Sequence, residues 1–194
     1  MPMINKSHFN ALTRDREDSL RLLNKSSMRG IRDSVVERYS EQAHFVYELL
    51  QNADDVQATT VVFKLRKEGL YFIHNGQIPF TITPPNAEKA GHINAITSIG
   101  ASSKKDENYK IGKFGIGFKS VFQYTQTPHI YDPNIAFKIR DLIVPELLQE
   151  STHPLQKTGE TLFFFPFDHP EKTAAIALKE IQNRLQELEF PLLL

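Results

Sequence analysis

Two stretches of this sequence decide its fold: residues 48–55 read ELLQNADD and residues 111–120 read IGKFGIGFKS. The first has the spacing of a helix. At about 100° of turn per residue, Glu48, Asn52 and Asp55 project to the same side. Such a helix can bury its apolar stripe while the three polar side chains line the edge of a cavity.

The acidic helix carries side chains suited to metal-dependent hydrolysis. A carboxylate at Glu48 can orient and deprotonate a water molecule, and the amide oxygen of Asn52 is a hard ligand suited to Mg²⁺. Asp55 can hold another water or support the wall of the cavity. The same spacing is also typical of a solvated polar face, so the pattern alone does not select between the two interpretations.

The glycine-rich segment gives a second signal. Three glycines, Gly112, Gly115 and Gly117, stand directly before a helical pattern. Glycine allows close backbone approach, and several N–H groups at a helix N-terminus bind anions such as phosphate. Between positions 104 and 119 the sequence has five lysines and only two acidic residues, so this segment is positively charged. The spacing is neither that of a P-loop nor that of a Rossmann fingerprint, which favours a phosphate binder outside both folds.

Composition excludes several other classes. The chain has 194 residues, with 23 Lys and Arg against 23 Asp and Glu, and no cysteine. The length predicts one domain, and the zero formal charge argues against binding to nucleic acid or to an anionic membrane. The absence of cysteine excludes thiolate catalysis and Cys-ligated zinc. No stretch reaches the roughly 20 apolar residues of a membrane-spanning helix, so we expect a cytoplasmic domain.

The remaining pattern predicts an α+β fold with helices on one face of a mixed sheet. Strand-like runs at 59–66 and 70–74 are joined by a tight turn, which favours a hairpin. Further strands are expected near Ile130, at 136–139 and at 161–167. Helices are expected at 9–23, 41–56, 86–96, 114–124 and 173–189.

Taken together, ELLQNADD and IGKFGIGFKSVF resemble the GHKL superfamily of ATPases. This superfamily includes DNA gyrase, the ninety-kilodalton heat-shock chaperones, histidine kinases and MutL proteins, and the chain is most similar to sacsin-type N-terminal ATP-binding domains. The likeness covers residues 34–167. It implies the Bergerat fold, a two-layer sandwich of a mixed, largely antiparallel sheet with helices on one face. It also implies one ATP-binding domain over residues 1–194, with an N-terminal helical extension at 1–30 and an ATP lid at 98–112.

The resemblance implies a role for each matching residue. Glu48 corresponds to the general base that activates water, Asn52 to the Mg²⁺ ligand, and Asp55 to an acidic position near the adenine and sugar. The nucleotide-binding positions that it implies are Asn52, Asp55, His74, Asn75, Gly76, Ser102, Ser103, Lys104, Gly112, Lys113, Phe114, Gly115, Ile116, Gly117, Phe118 and Thr161.

One position departs from the family. His74 stands where the family has the aspartate that reads the adenine amino group. A neutral imidazole nitrogen can accept one hydrogen bond, as can the carbonyl of Asn75. The alternative is a histidine at a strand end that is hydrogen-bonded to the backbone. Adenine selectivity therefore stays open at this stage.

The expected function is Mg²⁺-dependent binding and slow hydrolysis of ATP, as a nucleotide-driven switch in a larger protein. A Lys or Arg from a following domain often completes the γ-phosphate site in the resembling families, and no segment here obviously supplies it. The expected partners are ATP and ADP, downstream domains of the same polypeptide and, on nucleotide binding, a second copy. The apolar residues 190–194 favour a longer protein, or a tail that docks on this domain. The alternative function is a nucleotide sensor or scaffold with little turnover.

Overall fold

Six antiparallel strands form the sheet of the computed structural model, which describes residues 4–25, 45–98 and 117–188. In spatial order the sheet is β1-β2-β6-β3-β4-β5, and neighbouring strands are antiparallel throughout. The expectation of an α+β fold with a largely antiparallel sheet is confirmed. The strands are β1 (Val61–Arg66), β2 (Gly69–His74), β3 (His129–Asp132), β4 (Ile135–Arg140), β5 (Val144–Leu147) and β6 (Thr161–Pro166).

The β1–β2 hairpin confirms the predicted turn. Arg66 pairs with Gly69, so Lys67 and Glu68 alone make the connection. Gly69 lies in the strand, where a Cβ atom would come within 2.4 Å of the carbonyl oxygen of Phe165 on β6. Glycine is therefore required there by the close approach of two backbones.

The helices of the described residues contribute side chains to one shared core on one face of the sheet. Leu12, Leu49 and Ile181 come from three different helices, and Phe72 and Phe163 face them from β2 and β6. The predicted two-layer arrangement is thus confirmed. No helix in this part of the chain is long and apolar enough to cross a bilayer. The helices are α1 (Lys6–Leu23), α2 (Phe45–Asp55), α3 (His92–Ile96), α4 (Ala174–Gln186) and a 3-10 helix (Gly117–Gln123).

The opposite face of the sheet is covered by the connection before β6. Leu148 and Leu155 pack there against a second cluster that includes Tyr71, Tyr131 and Leu162. Every residue of β2 is consequently buried. This explains why β2 is largely apolar up to His74 and lacks the alternation of a strand with one solvated face.

The structure differs from the sequence-based expectation at one helix and one strand. The helix expected at 86–96 is confined to His92–Ile96. The amide of Asn94 bonds both the N–H and the carbonyl of Thr83, each at 3.0 Å, and so holds the preceding chain in a folded-back loop. Such bonds from side chain to backbone compete with helix formation.

Strand β5 was not predicted, and it contains Pro145, a residue that is unusual within a strand. β5 is the last strand of the sheet in the described residues, and Pro145 lies opposite Ile139 of β4. A proline is tolerated on an edge strand because its missing N–H need not serve a neighbour on the outer side.

Candidate functional site

Helix α2 presents Glu48 and Asn52 one turn apart. The side chain of Asn52 is 4% exposed, and within the described residues its Nδ2 atom has no hydrogen-bond partner. Glu48 is half-buried and Asp55 is exposed. An unpartnered buried amide costs free energy in the unliganded fold, and a ligand that bonds it removes that cost.

The end of α2 is fastened to the end of β2. The N–H of Gln77 donates to the carbonyl of Val56 at 2.8 Å. A Cβ atom on Gly76 would lie 2.4 Å from Cγ2 of Val56 and 2.9 Å from Nδ1 of His74. Only glycine fits between them, so the structure brings the helix of Asn52 and the strand end of His74 together.

His74 accepts a hydrogen bond at Nδ1 from the N–H of Gly76, at 3.1 Å. Its ring centroid lies 5.7 Å from that of Phe72 and 5.8 Å from that of Phe163. Burial among these rings lowers the pKa of His74 to about 4, so the imidazole is neutral at pH 7. A backbone N–H can only donate, so the proton of the neutral ring is on Nε2. Of the two interpretations left open by the sequence, the hydrogen bond to backbone is present.

A polar row crosses the sheet beside His74. His74 pairs directly with Thr161 of β6, and the hydroxyl of Thr161 donates to Oδ2 of Asp132 on β3 at 3.0 Å. Asp132 also accepts the N–H groups of Phe80, at 3.1 Å, and Asn134, at 3.0 Å. Burial raises the pKa of Asp132, and these hydrogen bonds oppose the rise.

Sequence reasoning missed Asp132. The tripeptide Asp-Pro-Asn at 132–134 is typical of a turn after a strand, and a turn aspartate is ordinarily exposed. The apolar residues before Asp132 could have indicated its burial, because a polar residue at the end of an apolar strand can point to the buried face of the sheet.

Asn75 makes a structural contact. Its Oδ1 atom accepts the N–H groups of Thr59 and Thr60, both at 2.9 Å, and its Nδ2 atom donates to the hydroxyl of Thr59 at 2.8 Å. The carbonyl oxygen of this side chain thus already has two donors. Its contact with a nucleotide stays a prediction.

The glycine-rich segment is described only from Gly117 onward. Phe118 is buried, with its ring centroid 6.1 Å from those of Phe163 and Phe165, so its side chain belongs to the core. Outside the described residues lie most of the predicted lid, at 99–112, and the predicted site residues Ser102, Ser103, Lys104, Gly112, Lys113, Phe114, Gly115 and Ile116.

The side chain of Lys119 is directed into the protein interior. Its side chain is 6% exposed, and Nζ donates to the carbonyls of Ile96, at 2.7 Å, and Leu142. Burial and, to a smaller extent, the charge of Arg16 together lower the pKa of Lys119 to about 7. This lysine is part of the positive charge of the glycine-rich segment in the sequence, but the fold uses it to hold two backbone segments together.

The described residues supply only part of a coordination shell for a magnesium ion. No cluster of three or more metal-binding side chains occurs in the described parts of the chain. The buried amide of Asn52 can supply one oxygen ligand. Mg²⁺ usually keeps several waters and takes its other ligands from substrate phosphates, so one protein ligand of this kind is compatible with it.

Comparison with known proteins agrees with the motifs. Residues 88–153 match the family model described as Sacsin domain. Protein NO VEIN of Arabidopsis thaliana is 38% identical over 107 residues, which is 53% of this chain and 4% of that protein. Sacsin of Homo sapiens is 33% identical over 122 residues, which is 53% of this chain and 3% of that protein.

Part of this chain is therefore similar to sacsin and to related proteins. The resemblance inferred from the motifs is confirmed at this level. The family match spans the glycine-rich segment and Asp132, whereas Glu48, Asn52 and Thr161 lie outside it. The chain covers only a small part of either relative, 4% and 3% of their lengths.

One solved structure is also similar to this chain. It is the ATP-binding domain of topoisomerase IV of Francisella tularensis in complex with a small molecule inhibitor. The likeness covers 72% of this chain and 40% of that chain, with a TM-score of 0.43 and 17% identity. A likeness of that size carries no argument about function.

Proposed function

We propose that this chain binds ATP with Mg²⁺ and hydrolyses it slowly, as a nucleotide-driven switch in a larger protein. The observation that carries the proposal is the amide of Asn52. It is 4% exposed, its Nδ2 atom has no partner in the described part of the chain, and it lies on the helix that is fastened to the strand end of His74. A phosphate oxygen would accept a hydrogen bond from this amide nitrogen.

The spacing along α2 supports a nucleotide that lies beside this helix. Glu48, Asn52 and Val56 follow one another at intervals of about 6 Å, which is one helical turn. Val56 is next to Gly76 and His74, where a base would lie. The phosphates would then extend past Asn52 toward Glu48.

The proposed chemistry is attack of water on the γ-phosphorus. Glu48 orients the water and takes its proton, while the bond between the γ-phosphorus and the bridging oxygen breaks and ADP leaves. When bound, Mg²⁺ offsets the negative charge of the phosphate oxygens. Lys119 is engaged with two carbonyls and offers no charge to the γ-phosphate, which supports slow turnover.

The test combines binding and turnover on the full chain. Titration calorimetry with ATP, with and without Mg²⁺, measures binding, and phosphate release measures turnover. Glu48→Gln is expected to bind ATP within about three-fold of the wild type and to release phosphate at least about 100-fold more slowly. Asp54→Asn is the matched control, since Asp54 is an exposed acid on the same helix. Failure of the wild type to bind ATP would contradict the proposal.

The same experiment decides between the enzyme and the alternative function. The neutral His74, in a position where the family has a carboxylate, favours a sensor or scaffold with little turnover. That alternative is correct if ATP binds and the wild type releases no phosphate above the Glu48→Gln level. The proposal further includes self-association on ATP binding, which light scattering with and without nucleotide would detect.

A further inference from the structure

We propose that His74 selects the base by donating a hydrogen bond from Nε2, so that this site accepts 6-oxopurine nucleoside triphosphates, GTP and ITP, at least as well as ATP. The inference rests on the proposed function, because it concerns the base end of the same nucleotide site.

The orientation of the His74 ring is fixed by its own loop. Nδ1 accepts the N–H of Gly76, which is two residues further along the chain. That loop is in turn bonded to α2 through Gln77 and Val56, and Gly76 leaves no space for a Cβ atom. The rings of Phe72 and Phe163 pack against the imidazole on the helix-covered face. A flip of the ring would replace Nδ1 by the Cδ2–H group and lose the hydrogen bond from Gly76, and a proton on Nδ1 would oppose that N–H, so the fold stabilises this orientation with the proton on Nε2.

The donor at Nε2 is left for a ligand. His74 is 4% exposed, and its one hydrogen bond in the described residues is the bond at Nδ1. Nε2 is not among the fully enclosed side-chain atoms without a partner in the described residues, so a ligand can reach its N–H. A base that presents an acceptor to Nε2 forms a hydrogen bond there, whereas an amino group would set two donors against each other.

Thr161 adds the complementary group. It is the direct partner of His74 across β2 and β6, so the two Cβ atoms are about 5 Å apart on the same face. Its hydroxyl proton is used by Asp132, which leaves the oxygen of Thr161 as an acceptor. The two strands therefore present a donor and an acceptor side by side.

This pair matches the edge of a 6-oxopurine. Guanine and hypoxanthine carry an acceptor at O6 next to the N1–H donor, whereas adenine carries the N6 amino donor. With O6 on His74, the N1–H can face Thr161. Adenine can use its unprotonated N1 on His74, so ATP is accepted but is not favoured. A carboxylate at position 74 would accept only and would favour the amino group.

The test compares ATP, ITP and GTP by titration calorimetry with Mg²⁺ on the wild type, His74→Asp and His74→Phe. ITP and ATP form a matched pair that differs at position 6 and in the protonation of N1. We expect the wild type to bind ITP at least as tightly as ATP. His74→Asp should prefer ATP over ITP by about ten-fold or more, and His74→Phe should show no preference.

Preference of the wild type for ATP over both ITP and GTP by ten-fold or more would overturn the inference and leave the proposed function standing. Binding of none of the three nucleotides would overturn both. Should His74→Asp fail to fold, nitrogen-15 NMR of the wild type decides the point. Protonation at Nε2 is expected, and protonation at Nδ1 would overturn the inference.

Discussion

The hydroxyl of Thr161 on β6 donates a hydrogen bond to the carboxylate of Asp132 on β3, with 3.0 Å between Oγ1 and Oδ2. The same carboxylate oxygen accepts the N–H of Phe80. Asp132 thereby ties the loop after His74 to the sheet, on the face that the helices cover. It supports the candidate site from beneath and is itself 2% exposed.

Asp132→Ala is expected to lower the free energy of unfolding by about 3 kcal/mol, because two buried donors and one part-buried donor lose their acceptor. Thr161→Val removes one of these hydrogen bonds and should cost about 1 kcal/mol. Urea unfolding at pH 7 measures both values. Asp132→Asn keeps one of the two acceptor oxygens, so its loss in free energy of unfolding should lie between those of Asp132→Ala and Thr161→Val. A cost below about 1 kcal/mol for Asp132→Ala would contradict this role.

Asn52→Leu separates a binding role from a structural role. The amide nitrogen of Asn52 has no partner in the described residues, so its replacement by an apolar side chain of similar size should leave stability unchanged or raise it by about 1 kcal/mol. Calorimetry should show that ATP binding is lost. A variant that loses about 2 kcal/mol or more of stability would instead indicate that Asn52 is held by the fold itself.

The lowered pKa of His74 predicts that the protein loses stability in acid. Its pKa is about 4 in the folded protein, against 6.5 for an ordinary histidine. The unfolded chain therefore binds more protons between these values, and the stability present above pH 6.5 is lost as the pH falls toward 4. The loss from this group amounts to about 3 kcal/mol. His74→Phe should remove that part of the pH dependence in urea unfolding, and equal slopes for both proteins would contradict the assignment.

The lowered pKa of Lys119 predicts that the protein gains stability in mild base. Its pKa is about 7 in the folded protein and 10.5 in an ordinary lysine. Between these values the unfolded chain binds more protons, so stability rises with pH, by about 2 kcal/mol between pH 7 and pH 9. Lys119→Met should show no such rise over this range. Lys64→Met on β1 is the control, because Lys64 is exposed and should leave the wild-type slope intact.

Much of the fold could be predicted because its signals are local. The β1–β2 hairpin follows from two β-prone runs and a short turn, and α1 follows from its apolar spacing. The limits of α3 and the presence of β5 could not be predicted in this way. The hydrogen bonds of Asn94 to Thr83 span 11 residues, and the edge position of Pro145 depends on the order of strands in the sheet.

The candidate site divides in the same manner. The spacing of Glu48 and Asn52 on one helix could be deduced from the period of a helix alone. The contribution of Asp132 could not, because its partner Thr161 is 29 residues away and the contact exists only once β3 pairs with β6. Lys119 could not be assigned either, since a lysine in a glycine-rich segment is usually expected to face solvent or a phosphate.

The sequence by itself determined the helix of Glu48 and Asn52, the strands other than β5, the glycine-rich segment and the likeness to sacsin-type domains, because each depends on residues close together in the chain. Tertiary structure alone decided the proton on Nε2 of His74, the burial of Lys119 and the polar row from His74 through Thr161 to Asp132. Burial and hydrogen-bond partners come from segments far apart in the chain. A neutral donor at His74 is therefore a property of the folded molecule, which no local pattern contains.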